Sequence, residues 1–258
     1  MNGIINLDIG QVILSYIFVI IVLAIVRKRG VKREKEIVIS SVRMTLQLIL
    51  TGYVLIYIFN NPNPLITGAI IILMEFFAVH TIFQKFKGQL SKKLKIIIGF
   101  SMVFGTLSCL LYFLFVVIRI TPWYDPQYFI PIAGMLVGNS MTGISLGVKS
   151  LIGGITTQKT LVEEALILGA TPQMAMKDII NNAFDAAIMP TINSMIGMGI
   201  VFLPGMMTGQ ILSGISPATA VAYQIAILLG ILGSVGLAVI TMLQLGYLSF
   251  FNEEDQLI

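Results

Sequence analysis

Long runs of apolar residues, separated by short polar loops, dominate the chain. A transmembrane helix needs about 20 mostly apolar residues, and the runs with that length and character lie at 9–26, 40–59, 65–83, 96–118, 129–148, 186–204 and 217–245. The pattern predicts an all-α integral membrane protein with about seven transmembrane helices, in which residues 1–258 form a single polytopic domain.

A polar segment, residues 158–182, interrupts the apolar pattern between the fifth and sixth spans. Thr160 and Glu163 have the spacing of a capping box, in which a hydroxyl and a carboxylate bind free amide groups at a helix N-terminus. Gly169 is placed to end this helix in the left-handed conformation, and Thr171 followed by Pro172 is typical of a second helix start. The segment therefore predicts a short surface helix followed by a tight turn.

The short helix is predicted to be amphipathic. Leu161, Ala165 and Leu168 share one face, and Glu163 and Glu164 form an acidic rim. A helix with these properties is suited to docking into a groove on a partner protein.

The same segment resembles a known coupling motif. Glu163-Glu164-Ala165, Gly169 and Ile179 have the order and spacing of the EAA-type loop of ABC-transporter permeases. The resemblance implies a cytoplasmic helix that couples the membrane domain to an ATPase subunit, with contacts from Thr160, Glu163, Glu164, Ala165 and Gly169. Importer permeases continue with Leu-Pro where this chain has Asn181-Asn182, so the motif favours the ABC class over an importer.

Composition agrees with a membrane location and limits what this chain does by itself. It is 57% hydrophobic and 11% charged, against about 25% charged in soluble proteins, and its mean hydropathy is +0.94. The sequence contains no Gly-x4-Gly-Lys-Ser/Thr loop. We therefore expect no cofactor in this chain, with ATP and magnesium bound by a separate subunit.

Basic residues predict the orientation. Of the 16 Lys and Arg residues, 14 fall in alternate loops, within 27–35 and 85–95 and at Lys149, Lys159 and Lys177. Cytoplasmic loops carry the excess of Lys and Arg. The N-terminus is predicted outside, and the C-terminus and residues 158–182 in the cytoplasm, in a multi-pass protein of the plasma or inner membrane. The basic charge then reflects topology and anionic lipid, with no need for a nucleic-acid partner.

Glu75 is predicted near the middle of the third span. An ionised carboxylate there costs at least ~2.5 kcal/mol, so it must be protonated, partnered or facing a cavity. It is a candidate cation or proton site, and a structural carboxylic acid is the alternative. His80 lies five residues later and on another helix face. An intramembrane protease using His80 and Ser145 is the enzymatic alternative, although the nucleophile-elbow pattern around Ser145 needs a strand-to-helix turn.

Other polar and sulfur-containing side chains extend the candidate substrate path. The set is Glu75, Asn139, Met195, Met198, Met206, Met207 and Gln210. Met195 and Met198 share a helix face, and the helix is predicted to break at Pro204, before Met206 and Met207. Thioethers favour soft ions such as Cu(I), but methionine also fills gaps in ordinary packing. The sequence alone identifies no metal site.

Four motifs together resemble the permease subunit of the Fet-type iron-export ABC transporters, whose plant relatives are tied to aluminium tolerance. They are Gly134 to Thr142, Glu163 to Thr171, Pro190 to Ser194 and the Leu-Pro-Gly-Met-Met-Thr-Gly-Gln run that begins at Leu203. The resemblance implies a permease homodimer bound to two ATPase subunits, which exports iron or a related metal. It also implies that this chain is a transporter subunit rather than an enzyme, with the ATPase activity in a partner chain. An ABC permease for a different solute, importer or exporter, is the alternative within transport.

Overall fold

The computed structural model describes residues 7–257, which are mostly helical. The chain divides into two compact units, Met1–Asn61 and Pro62–Ile258. In the first unit, α1 (Ile9–Ser15) and α2 (Ile17–Lys28) follow one another, and α3 (Glu34–Asn60) packs against α2. The Tyr16 hydroxyl, at the junction of α1 and α2, hydrogen-bonds Thr45 of α3.

The second unit contains the remaining helices. These are α4 (Pro64–Lys85), α5 (Lys92–Tyr112) with a π-helical extension (Phe113–Ile118), α6 (Pro126–Thr157), α7 (Lys159–Ile167), α8 (Pro172–Gly197), α9 (Gly205–Leu212) and α10 (Pro217–Gly246), followed by a 3-10 turn (Tyr247–Phe250). The core lies where α5, α6, α8 and α10 meet. Asn63, Ser91, Asp125, Thr171 and Ser216 cap helix N-termini with their side chains.

Close contacts fix the relative directions of the central helices. Ser140 of α6 hydrogen-bonds Ser234 of α10 at 2.8 Å, and Gly147 of α6 lies beside Met242 of α10, so the numbering rises in the same direction along both helices. Against α8 the order reverses, because Gly147 of α6 lies beside Ala187 while Gly154 lies beside Ile179. Therefore α8 runs antiparallel to α6, and α10 runs parallel to α6.

Glycines allow these helices to approach closely. A Cβ on Gly105 of α5 would lie 2.6 Å from the Cα of Ala238, and one on Gly143 would lie 2.8 Å from Val235. Small residues let membrane helices bring their backbones together. Gly143 and Gly147 are thus packing positions, whereas a Cβ on Gly138 would meet nothing within 4 Å.

Six helices of the described residues are long and apolar enough to cross a membrane: Ile9–Lys28, Glu34–Asn60, Pro64–Lys85, Lys92–Ile118, Pro126–Thr157 and Pro217–Phe250. They correspond to six of the seven predicted spans. The predicted span at 186–204 differs from the structure. Only residues 186–197 of that span belong to α8, which begins at Pro172 and ends at Gly197. Polar side chains lower the mean hydropathy of this helix.

The predicted break at Pro204 was also misplaced. The helix ends seven residues earlier, at Gly197, and Gly199 has a positive φ of 83°. Residues 198–204 are irregular, and Pro204 is the N-cap of α9. Proline begins the new helix because its fixed φ and missing N–H suit a helix start better than an interior position.

Candidate functional site

The helix predicted within residues 158–182 is present as α7, but its start differs from the prediction. Gln158 is the N-cap and makes no side-chain cap, while Thr160 lies inside the helix and is exposed. The capping box of Thr160 and Glu163 is therefore wrong. Glu163 instead forms an ion pair with Lys159, one turn earlier, at 3.7 Å.

The predicted end of α7 is confirmed. Gly169 has a φ of +93°, a conformation that glycine adopts at little cost. The Gly169 N–H donates to Leu166 O at 2.9 Å, and the Ala170 N–H donates to Ala165 O at 3.0 Å, which is the hydrogen-bond pattern of a Schellman motif. Thr171 then caps α8, accepting from the Met174 N–H at 3.4 Å, and Pro172 is its first residue.

Two faces of α7 have opposite environments. Val162 is buried, and Leu166 packs on the core, so one face is fixed to the protein. On the outside, Leu161, Ile167 and Leu168 are 62%, 84% and 88% exposed. Glu164 is also exposed, and Ala165 is half-buried. The helix therefore presents an apolar surface with a carboxylate beside it.

The C-terminal segment lies next to the turn after α7. Asn252 organises it by accepting hydrogen bonds from the Glu254 and Gln256 N–H groups at 3.0 and 2.8 Å. A groove of about 630 Å³ lies between residues 254–257 and the turn at 163–172. The C-terminal segment and α7 therefore lie at the same end of the second unit.

Glu75 is buried in α4, and its partner is Thr106 of α5. The Thr106 hydroxyl hydrogen-bonds Glu75 Oε1. It also lies within hydrogen-bonding distance of Met102 O, at 2.7 Å. Glu75 Oε2 is buried without a hydrogen-bond partner in the described part of the chain. Of the three expected arrangements for Glu75 (protonated, partnered or facing a cavity), the structure shows a partner, Thr106, for one of its two oxygens.

Polar residues form an exposed strip on α6 and another on α8. Asn139 and Thr142 of α6 hydrogen-bond carbonyl groups of their own helix, Met135 O and Gly138 O. On α8 every fourth position from 181 to 193 is exposed, and three of these four positions are polar: Asn181, Asp185 and Asn193. Near α7 the two helices border a common cleft, which Gly153 and Asn182 help to line.

The structure separates the candidate substrate-path residues. Met195, Met198 and Met207 line one cavity of about 360 Å³, together with Gln224. Met206 is absent from that lining and packs against the core. Gln210 Oε1 is buried with no partner found in residues 7–257, and Glu75 and Asn139 lie elsewhere. The seven predicted residues therefore do not form a single site.

The histidine of the enzymatic alternative lies on an exposed helix face. His80 contacts Gln84 at 2.8 Å and stacks on Phe76. Ser145 is buried within α6, which is a continuous helix at that point. The strand-to-helix turn that a nucleophile elbow requires is therefore not formed at Ser145.

Sequence reasoning missed four residues that the structure makes prominent: Thr106, Asp185, Gln224 and Asn252. Thr106 and Gln224 lie in apolar runs, and their roles depend on neighbours distant in sequence. Asp185 could have been found from the spacing of polar residues on α8, since it lies four residues after Asn181 and eight residues before Asn193. Asn252 precedes an acidic tail that has the composition of a solvated end.

The chain is similar to curated proteins over almost its whole length. It is 31% identical over 257 residues to the probable iron export permease protein FetB of Escherichia coli, covering 98% of this chain and 96% of that protein. It is 36% identical over 253 residues to the protein ALUMINUM SENSITIVE 3 of Arabidopsis thaliana, covering 96% and 90%. No solved structure gives a significant match.

A third relative and a family match agree with these. The UPF0014 membrane protein slr1647 of Synechocystis is 34% identical over 236 residues, covering 92% of this chain and 91% of that protein. The uncharacterised protein family UPF0014 matches residues 9–251. The chain, a multi-helix membrane protein, therefore belongs to the UPF0014 family, as the Synechocystis relative does by its name.

Proposed function

We propose that this chain is the membrane-spanning permease subunit of an ABC transporter that exports iron or a related metal. A separate ATPase subunit would bind ATP and magnesium and hydrolyse the ATP. The observation that carries the proposal is the apolar surface of α7, where Leu161, Ile167 and Leu168 are exposed. The iron export named for the Escherichia coli relative supports the substrate class.

The geometry of α7 suits transmission of movement. Burying apolar surface yields about 25 cal/mol per Å², so a partner groove that covers the three side chains gains affinity directly. Val162 and Leu166 attach the other face to the core, and the turn at Gly169 leads into α8. A displacement imposed on α7 would therefore reach α8, which packs on α6 and α10.

The arrangement of α6, α8 and α10 supports seven membrane crossings. Since α6 and α10 are parallel, the chain between them must return to the starting side, and α8 runs in the direction needed for that return. With the positively charged loops on the cytoplasmic side of the plasma or inner membrane, the N-terminus lies outside the cell. Helix α7 and the C-terminal segment then lie in the cytoplasm.

The exposed polar strips support a second copy of the permease. Asn139 and Thr142 on α6, and Asp185 and Asn193 on α8, would be costly to expose to lipid. A homodimer that brings these strips together would shelter them and enclose a polar route, in a complex of two permeases and two ATPases. Asp185 offers oxygen ligands to a passing metal ion, and Glu75 Oε2 offers a second, buried acceptor.

Recovery of an ABC ATPase with the tagged chain from native membranes tests the proposed assembly. The double variant Leu161→Ser/Leu168→Ser removes the apolar surface without touching buried Val162, so we expect it to insert normally and recover little ATPase. Val31→Ser, an exposed apolar position in another predicted cytoplasmic loop, is the control and should behave as wild type. Equal ATPase recovery with the double variant would remove the basis of the proposal.

A further inference from the structure

Three methionines that are separate in sequence converge on one cavity. Met195 comes from the end of α8, Met198 from the residue after that helix, and Met207 from α9. Val221, Ile225, Leu228 and Leu229 of α10 complete an apolar wall. The cavity, about 360 Å³ in volume, lies at the end of α8 remote from α7.

One polar side chain enters this apolar wall. Gln224 is only 7% exposed and lines the cavity, and its amide makes no hydrogen bond in the described part of the chain. Buried amides are nearly always hydrogen-bonded. The side chain of Gln224 is buried, and its amide opens onto the cavity, where it is available to a ligand.

We propose that this cavity binds a soft monovalent cation of the Cu⁺ or Ag⁺ class. The ligands are the thioether sulfurs of Met195, Met198 and Met207, and the amide oxygen of Gln224 completes the set. Thioethers bind soft metals and discriminate against the harder ions that prefer oxygen. The site is therefore distinct from a route for iron and goes beyond the proposed function.

The charge of the ligand set selects the valence of the ion. All four ligands are neutral, and the cavity lining contains no Asp, Glu, Lys or Arg. The Born cost of transferring an ion from water into an apolar medium rises with the square of its charge. With no carboxylate to offset that cost, a monovalent ion is held more readily than a divalent one.

Titration of the purified full-length protein in detergent with Ag⁺, a redox-stable probe, tests the proposal. We expect one tight site per chain, with a silver–sulfur shell in X-ray absorption spectra. In Met195→Leu/Met198→Leu/Met207→Leu, affinity should fall by more than about tenfold, as it does when a metal site loses key contacts. Leucine is close to methionine in volume, and thermal melting checks that the variant remains folded.

A second triple variant is the matched control. Met44→Leu/Met174→Leu/Met189→Leu removes the same number of thioethers at exposed positions outside the cavity and should retain the tight site. Gln224→Leu should weaken binding while leaving the silver–sulfur shell in place. The absence of a tight site in wild type, or equal Ag⁺ affinity in the two triple variants, overturns the proposal.

Discussion

Glu75 and Thr106 join α4 to α5 through a hydrogen bond buried in the second unit. The Thr106 hydroxyl has a single hydrogen, and its two nearest acceptors are Glu75 Oε1 and Met102 O, with Val103 O farther away at 3.4 Å. A protonated Glu75 would donate to Thr106 and leave that hydrogen for Met102 O, which satisfies both contacts. The pair therefore accommodates a protonated Glu75, and we predict that substrate passage displaces this proton.

Substitution at this pair separates charge from packing. Glu75→Gln retains a donor for Thr106, so we expect detergent melting close to that of wild type, with metal efflux lost. Thr106→Val removes the partner of a buried polar group, which costs about 1–3 kcal/mol, and should lower the melting temperature. Unchanged efflux in Glu75→Gln would make Glu75 a structural acid and exclude it from the substrate route.

Helix packing at Gly105 gives a prediction that is independent of function. A Cβ at this position would lie 2.6 Å from the Cα of Ala238, so Gly105→Ala should separate α5 from α10. Overpacking of this kind costs about 1–3 kcal/mol, measurable by thermal unfolding in detergent. Gly138→Ala, whose Cβ would meet nothing within 4 Å, is the control. Equal melting of the two variants would contradict the close approach of α5 and α10.

The turn after α7 should be essential for coupling. Gly169→Val places a β-branched residue at a φ of +93°, where left-handed strain costs about 1–2 kcal/mol. We expect normal membrane insertion but loss of ATP-driven transport. Gly169→Asn tests the same position with a residue that tolerates this conformation better and should retain more transport. Equal transport by the valine and asparagine variants would show that coupling does not depend on the left-handed conformation at residue 169.

Cysteine labelling tests the proposed seven membrane crossings. In a Cys109→Ala background, which has no other cysteine, Asn61→Cys and Ile215→Cys should react with an impermeant reagent from outside. Lys159→Cys should react only after permeabilisation. Labelling at Ile215 shows whether α8 crosses the membrane. If α8 did not cross, Ile215 would lie on the cytoplasmic side. Protection of Ile215→Cys in intact cells would exclude the seventh crossing.

Local sequence patterns predicted those features that depend on neighbouring residues. Long apolar runs gave six of the spans, and Gly169 and Thr171 gave the end of α7 and the start of α8. The failures depend on distant contacts. Thr160 does not cap α7 because that helix begins almost directly after α6, leaving Gln158 as the only residue between them. The mean hydropathy of α8 is low because exposed polar residues share one of its faces. A search for long apolar runs therefore placed the start and end of this helix incorrectly.

The same distinction applies to the candidate site. Met195 and Met198 could be paired from their spacing, but Met207 joins them only because the chain turns back between Gly197 and Gly205. Thr106 and Gln224 give no signal in sequence, since nothing in the pattern of their apolar runs distinguishes them from the other polar residues there. Their significance comes from a carboxyl group on another helix and from a cavity.

Iron transport into inside-out membrane vesicles tests the central claim most directly. Vesicles containing this chain and the proposed ATPase subunit should accumulate radioactive iron when supplied with magnesium and ATP. Accumulation should be absent with a non-hydrolysable ATP analogue and in vesicles carrying the Gly169→Val variant. Iron uptake that proceeds equally without ATP hydrolysis, or no uptake attributable to this chain, would contradict an ATP-driven metal exporter.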